Sequence, residues 1–311
     1  MRVAVLGRTR LLLDTARALL NERHRLCLIG TCRADPSYDV REDDFHALAK
    51  EHGADFFNDS RINRPEIVSR LEKAKADVTV SINWLTLIGP APIAAFPYGI
   101  LNAHAGDLPR YRGNACPNWA ILNGEPYVGV CIHAMEANSL DSGPVFLRRR
   151  FPLSTSTYIG DISAWLADTV PAMFVEVLGQ LARGTAHPEP QPRDPALTLH
   201  CYPRRPADSR IDWGTPASRI SALVRASSRP FDGAYTTLEG NAKVTVWRAR
   251  IEEHPGPFLA VPGQVLYGSD GDPVIATGEG VLQLEDVALE RTSSGTEAKA
   301  AILRSLRQRL I

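Results

Sequence analysis

Asn102 and His104 stand two residues apart in LNAHAGDLPRYRG, at the end of an apolar run and ahead of a basic loop bearing Pro109 and Gly113. On an extended strand, residues i and i+2 point to the same side, so a carboxamide and an imidazole share one reaction centre. Asp141, in the turn sequence NSLDSGP between two further strands, adds a carboxylate. Singly, each has an ordinary reading: an asparagine that turns a strand end, a satisfied histidine, an Asp-Ser-Gly turn. Together they are the parts for acyl transfer to an amine: an amide that donates to a developing oxyanion, an imidazole, and a carboxylate that handles protons. A deprotonated amine attacks for itself, so no serine or thiol nucleophile is required, and the sequence has no GxSxG elbow of a hydrolase.

The surrounding chain alternates strand and helix patterns. VAVLG, RLCLIGTC, ADFF and DVTVSINW read as strands, separated by the helical RLLLDTARALLNERH, EDDFHALAKEHG and PEIVSRLEKAKA. This rhythm predicts an α/β fold, a doubly wound and mostly parallel sheet with helices on both faces. After the strands YVGVCIHAM and PVFLRRRF, a long helical stretch bent at Pro171 closes a catalytic domain over residues 1–186. The proline-rich residues 187–206 read as a linker. Residues 207–311 hold the helical TPASRISALVRASS and the short strands GAYTTLEG, AKVTVWRARI, GQVLYG, DPVIATGEG and VLQLEDVAL, the pattern of a small OB-like β-barrel. TEAKAAILRSLRQRLI has helical spacing and is expected to lie across that barrel.

The 311 residues carry 35 basic and 35 acidic side chains, so no single-sign field advertises nucleic acid or an anionic membrane. Five scattered cysteines without a CxxC give neither a disulfide framework nor a zinc site, and no metal is implied. The chain opens directly on a strand pattern, with no leader pattern and no apolar run long enough for a bilayer, so the cytoplasm is the expected location. In a doubly wound sheet, ligands sit at the carboxyl ends of strands. The first such loop, GRTR, is not GxGxxG and does not encode a dinucleotide turn. Arg8, Thr9 and Arg10 either hold a substrate phosphate with the local backbone amides or are solvated groups beside a tight turn.

NAH, DLPRYRG and LDSG, in this order and spacing, resemble the signature of the folate-dependent formyltransferases. The resemblance implies the formyltransferase version of the doubly wound fold and 10-formyltetrahydrofolate as formyl donor. It implies that Asn102 and His104 polarise the formyl oxygen and stabilise the tetrahedral intermediate, while Asp141 positions His104 and helps move the amine's proton. The pterin is expected against NWLTLIGP, through backbone groups of Leu85, Thr86 and Ile88, with the loop bearing Asn138 and Asp141 closing the other side. One departure stands out: the family commonly writes HxSLLP, and this chain has HAGDLP, with Gly106 and Asp107 in place of serine and leucine.

Residues 207–311 are similar to the carboxyl-terminal barrel of methionyl-tRNA formyltransferases and of related sugar-modifying enzymes, which short glycinamide ribonucleotide formyltransferases lack. For a tRNA acceptor, a basic surface and a basic insertion are expected. Here the corresponding loop reads RADPSYDVREDD, and residues 205–311 hold thirteen basic and thirteen acidic side chains. YPRRPADSRIDW and NWAILNGE look closer to enzymes that formylate a nucleotide-linked amino sugar, the acceptor expected here. Arg8, Arg10, Arg204 and Arg205 are candidates for its diphosphate and Tyr111 for its base; alternatively, Arg204 and Arg205 only brace the linker. Methionyl-tRNA, a small amine such as hydroxyornithine, or water in a formyltetrahydrofolate hydrolase are the other acceptors. Small-molecule partners are expected, without nucleic acid or membrane; a homodimer is compatible with the sequence.

Overall fold

The computed structural model describes residues 1–239, 242–254, 256–290 and 292–311; Gly240, read at the end of the strand GAYTTLEG, lies outside them. β1 (Arg2–Gly7) leads to α1 (Arg10–Asn21), β2 (Arg25–Thr31) to α2 (Glu42–His52), and β3 (Asp55–Asn58) to α3 (Pro65–Ala74). β4 (Val78–Ile82) runs through α4 (Pro90–Ala94) to β5 (Ile100–His104). β6 (Arg112–Gly113), α5 (Cys116–Leu122), β7 (Tyr127–Ala134), β8 (Val145–Pro152) and α6 (Ile159–Arg183) follow. Beyond β9 (His200–Cys201) come α7 (Ala217–Ser227), β10 (Ala234–Leu238), β11 (Ala242–Glu252), β12 (Val265–Ser269), β13 (Asp272–Ala276), β14 (Val281–Leu289) and α8 (Gly295–Leu303).

The chain divides into two compact units, one of residues 1–113, 128–151 and 164–201, the other of residues 114–127, 152–163 and 202–311. The first holds a seven-stranded sheet in the order β3-β2-β1-β4-β5-β7-β8, parallel from β3 to β5 and antiparallel between β5 and β7. This is the doubly wound α/β fold that the alternating pattern predicts. Val3, Val5, Val78 and Val80 are fully buried against one face with Leu12, Ala16 and Leu19, the residues that helical spacing brings to one side of α1. Gly7 ends β1 at φ 151°, where a Cβ would lie 2.0 Å from the Ile82 carbonyl oxygen, so only glycine lets the chain leave the sheet there.

α6 is continuous across Pro171. At 25 residues, with an 18-residue stretch of mean hydropathy 1.3, it reaches the length and apolar character of a bilayer span, contrary to the expectation that no such run exists. Its Val170, Phe174, Val177 and Leu178 are buried in the sheet's core, which accounts for that character.

In the second unit β10-β11-β14-β13-β12 form an antiparallel sheet around a core that includes Ile220, Val244, Val246, Leu282 and Leu284. The helical reading of the last segment extends too far. α8 stops at Leu303, and the tail pairs instead with both edges of the sheet. Thr237 and Ile311 exchange backbone hydrogen bonds of 2.9 and 2.8 Å at β10; Leu310 donates to Gly263 O at 2.8 Å and Val265 to Gln308 O at 3.3 Å beside β12. Unpaired edge groups win over the local helical preference, and the tail closes the sheet into a barrel.

Candidate active site

β5 brings Asn102 and His104 to the same face, as alternation requires, and β7 lies antiparallel beside it with Asn102 opposite His133 and His104 opposite Cys131. Asp141, in the loop between β7 and β8, reaches both histidines: Oδ2 is 3.4 Å from His104 Nδ1 and Oδ1 is 3.4 Å from His133 Nε2. The structure thus brings the three expected residues together. It adds a fourth, His133, whose Nδ1 donates to Ala134 O at 2.8 Å, leaving Nε2 to face Asn102 Nδ2 at 3.3 Å. The signal for His133 was its place in YVGVCIHAM, on the strand that neighbours β5; strand patterns taken singly do not reveal that neighbour.

His104 is 7% exposed and Asp141 9%. The Tyr111 carbonyl, 2.6 Å from His104 Nε2, can only accept, so Nε2 carries a proton. A second proton on Nδ1 is disfavoured by burial and favoured by Asp141; burial prevails, and the His104 pKa lies below its ordinary value. Burial alone would raise Asp141, but its two histidine neighbours, His133 and His104, and the Gly113 N–H, which donates to Oδ2 at 2.9 Å, hold it at about 2. The site therefore pairs an ionised carboxylate with an imidazole whose second proton burial disfavours, a pair able to act as a general base.

The loop after β5 explains the departure at Gly106 and Asp107. A Cβ on Gly106 would lie 2.2 Å from Tyr111 O and 2.5 Å from His104 Nε2, so the contact between this carbonyl and the imidazole requires glycine. Asp107 turns away from the centre and pairs with Arg148 Nε at 3.2 Å and Arg150 at 3.0 Å, both on β8. Tyr111, put forward as a platform for a base, is only 5% exposed; its φ is 58°, and Arg110 lies over its ring.

At the same end of the sheet, Leu85 and Leu87 in the loop after β4 are 53% and 70% exposed, and Leu140 in the loop after β7 is 45% exposed. Uncovered apolar groups beside turn backbone are what a flat heteroaromatic ring needs. Asn63 braces the first loop, donating to Leu87 O at 2.9 Å and accepting from Gly89 N at 2.6 Å, and Thr86 Oγ1 donates to Ser60 O at 2.7 Å. Ile88 is buried in the hydrophobic core, while exposed Asn138 sits at φ 61° in the second loop.

Arg8 and Thr9 lie at the start of α1. Arg8 donates to Arg33 O at 3.2 Å and lies over the Tyr38 ring, while its Nε and the Thr9 hydroxyl are buried with no hydrogen-bond partner among the described residues. Arg10 is already paired with Asp39 at 3.0 Å. In the second unit, Arg204 donates to Asp208 O at 3.0 Å and lies over Trp119, whose Nε1 donates to Tyr202 O; the Arg205 amide donates to Asp208 Oδ2 at 2.6 Å. The Arg204 side chain is thus held against the Asp208 turn and Trp119, whereas the Arg205 contact is made by its backbone.

Comparison with known proteins places this geometry. A family model described as formyl transferase matches residues 1–178, and one described as formyl transferase, C-terminal domain, matches residues 204–298. The chain is 33% identical to the methionyl-tRNA formyltransferase of Symbiobacterium thermophilum over 77% of its length and 72% of the relative's. To that of Ruegeria pomeroyi it is 31% identical over 98% and 97%. In fold it resembles HypX from Aquifex aeolicus, with a TM-score of 0.66 and 21% identity, covering 98% of this chain but about half, 49%, of HypX. It also resembles an N-formyltransferase from Helicobacter canadensis solved with folinic acid and dTDP-3-aminofucose, with a TM-score of 0.64 and 13% identity over 91% and 98% of the two chains.

Proposed function

Since the chain belongs to the formyl transferase family, we propose that it is a cytoplasmic enzyme that transfers the formyl group of 10-formyltetrahydrofolate to the primary amine of a nucleotide-linked amino sugar. The folate supplies an activated formyl carbon and departs as an amine. The exposed leucines and braced backbone of the loops after β4 and β7 are suited to its ring. Asn102 offers an amide N–H to the carbonyl oxygen as charge develops there, a contribution of roughly 10²–10³-fold in rate for one such donor. His104 takes up the attacking amine's proton at Nδ1, where ionised Asp141 stabilises the resulting imidazolium. His133 orients the Asn102 carboxamide, accepting from Asn102 Nδ2 at its Nε2.

The observation that carries the acceptor is the contrast around α1. Arg8 Nε and the Thr9 hydroxyl are buried and unmet beside a helix start with no acidic residue in its first turn, a setting for a phosphate. Next to it, residues 33–44, with five acidic against two basic side chains, are closed on themselves: Asp35 accepts from Ser37, Glu42 from the Ala34 amide and Asp44 from the Arg41 amide. A compact phosphate carrier suits this better than a polyanion. A second reading, methionyl-tRNA, is favoured by the identity to two enzymes of that name. The test is to supply the folate donor with a panel of nucleotide-linked amino sugars, hydroxyornithine and methionyl-tRNA, and to look for a formyl mass increment. Formylation of an amino sugar that is lost in Arg8→Ala supports the proposal; formylation of charged tRNA at physiological salt, with the sugars inert, replaces it by the second reading.

A further inference from the structure

The proline-rich stretch after α6 is tied into the reaction centre of its own unit. Glu189 and Val145, at the start of β8, exchange backbone hydrogen bonds of 2.8 Å each. Two residues on, Gln191 Nε2 donates to the carbonyls of Asp141 at 2.9 Å and Gly143 at 2.7 Å, while its Oε1 accepts from the Arg112 guanidinium at 2.8 Å. Arg112 is itself fixed: its amide donates to Leu199 O at 2.8 Å, and β6 pairs in parallel with β9, Arg112 opposite His200 and Gly113 opposite Cys201. The next residue, Gly113, donates to the Asp141 carboxylate.

We infer that Gln191 is a positioning residue of the reaction centre, clipping the backbone of Asp141 so that its carboxylate meets both His104 and His133. Asp141 sits at φ 49°, in the left-handed region that a residue with a side chain leaves unless neighbours hold it. At Gly143 the turn passes so close to β7 that a Cβ would stand 2.0 Å from Ala134 O. The two carbonyls of this turn face the strap, and a carboxamide can give each a proton while accepting from Arg112; glutamate of the same shape cannot. Asp141 is thus gripped twice by one β6–β9 junction, at its backbone through Gln191 and at its side chain through Gly113.

The inference rests on the proton-handling role proposed for Asp141, and the experiment separates the two. Steady-state kinetics and the pH profile of kcat/KM are measured on the full chain for Gln191→Glu, Gln191→Ala and Asp141→Asn, normalised to folded protein by circular dichroism. The expected result is a kcat lowered by roughly 10–100-fold in both Gln191 variants with KM values nearly unchanged. The acid limb should also move to lower pH. The charged and titratable groups facing His104 are Asp141, His133 and Arg112, and slackening Asp141 weakens the one that favours the imidazolium. Asp141→Asn with unchanged turnover overturns the role of Asp141. Asp141→Asn inactive, with both Gln191 variants keeping the kcat and pH profile of the parent, overturns the role of Gln191. Should the Gln191 variants fail to fold, Arg112→Gln, which removes the anchor of Oε1 together with one positive charge facing His104, must show a kcat-specific loss, and a parental kcat there also overturns it.

Discussion

At the scale of single residues, the protonation of His104 and Asp141 links the chemistry to stability. Asp141 titrates at about 2 in the folded protein against 3.8 when unperturbed, so its contribution is complete above about 4 and is lost as pH falls through about 2. His104 is lowered from 6.5, so the unfolded chain takes up this proton first and stability declines as pH drops below that value. Acidification from pH 7 to 5 should therefore lower the urea midpoint more in the parent than in His104→Gln; equal or reversed slopes would show that burial does not govern the imidazole. Asn102, His104 and Asp141 were readable because alternation and a turn motif are local properties of the chain. His133 was not, since its role follows from β7 lying antiparallel to β5, which no local pattern encodes. Gln191 was hidden for a related reason: a residue between prolines reads as connection until the carbonyls it meets are known.

At the scale of elements, the loop between β5 and β6 joins a backbone constraint to an ion-pair network. Gly106 allows the Tyr111 carbonyl to reach the imidazole, and Asp107 fastens the loop to Arg148 and Arg150 on β8. Gly106→Ser restores the side chain of the family pattern but forces Tyr111 to move. The expected outcome is a loss of about 1–3 kcal/mol by urea unfolding, the usual cost of overpacking, together with a changed Nε2 resonance of His104 by NMR. An unchanged resonance would mean that the carbonyl does not restrain the ring in solution. The sequence displays this departure plainly, yet its compensation comes from arginines some forty residues on, so the altered letters and their remedy are never seen side by side.

At the scale of the whole molecule, the two units differ in how much of their construction is local. Strand–helix alternation announces the doubly wound sheet, because each βαβ unit carries its own periodicity. Closure of the barrel by residues 308–311 escapes such reading, because the segment's helical spacing is outweighed by edge strands elsewhere in the second unit. Leu310 is buried in that core, and Leu310→Ala should cost about 2–5 kcal/mol. Hydrogen exchange should show β10 and β12 losing protection first; protection lost evenly over the unit would argue against the tail as the closing element. The pairing of β5 with β7 has a different reach. Because side chains alternate with a period of two, a slip of one position would set Ile132 or Ala134 against Asn102, in place of His133. Turnover recovered after refolding thus counts the molecules whose strands have found their native alignment.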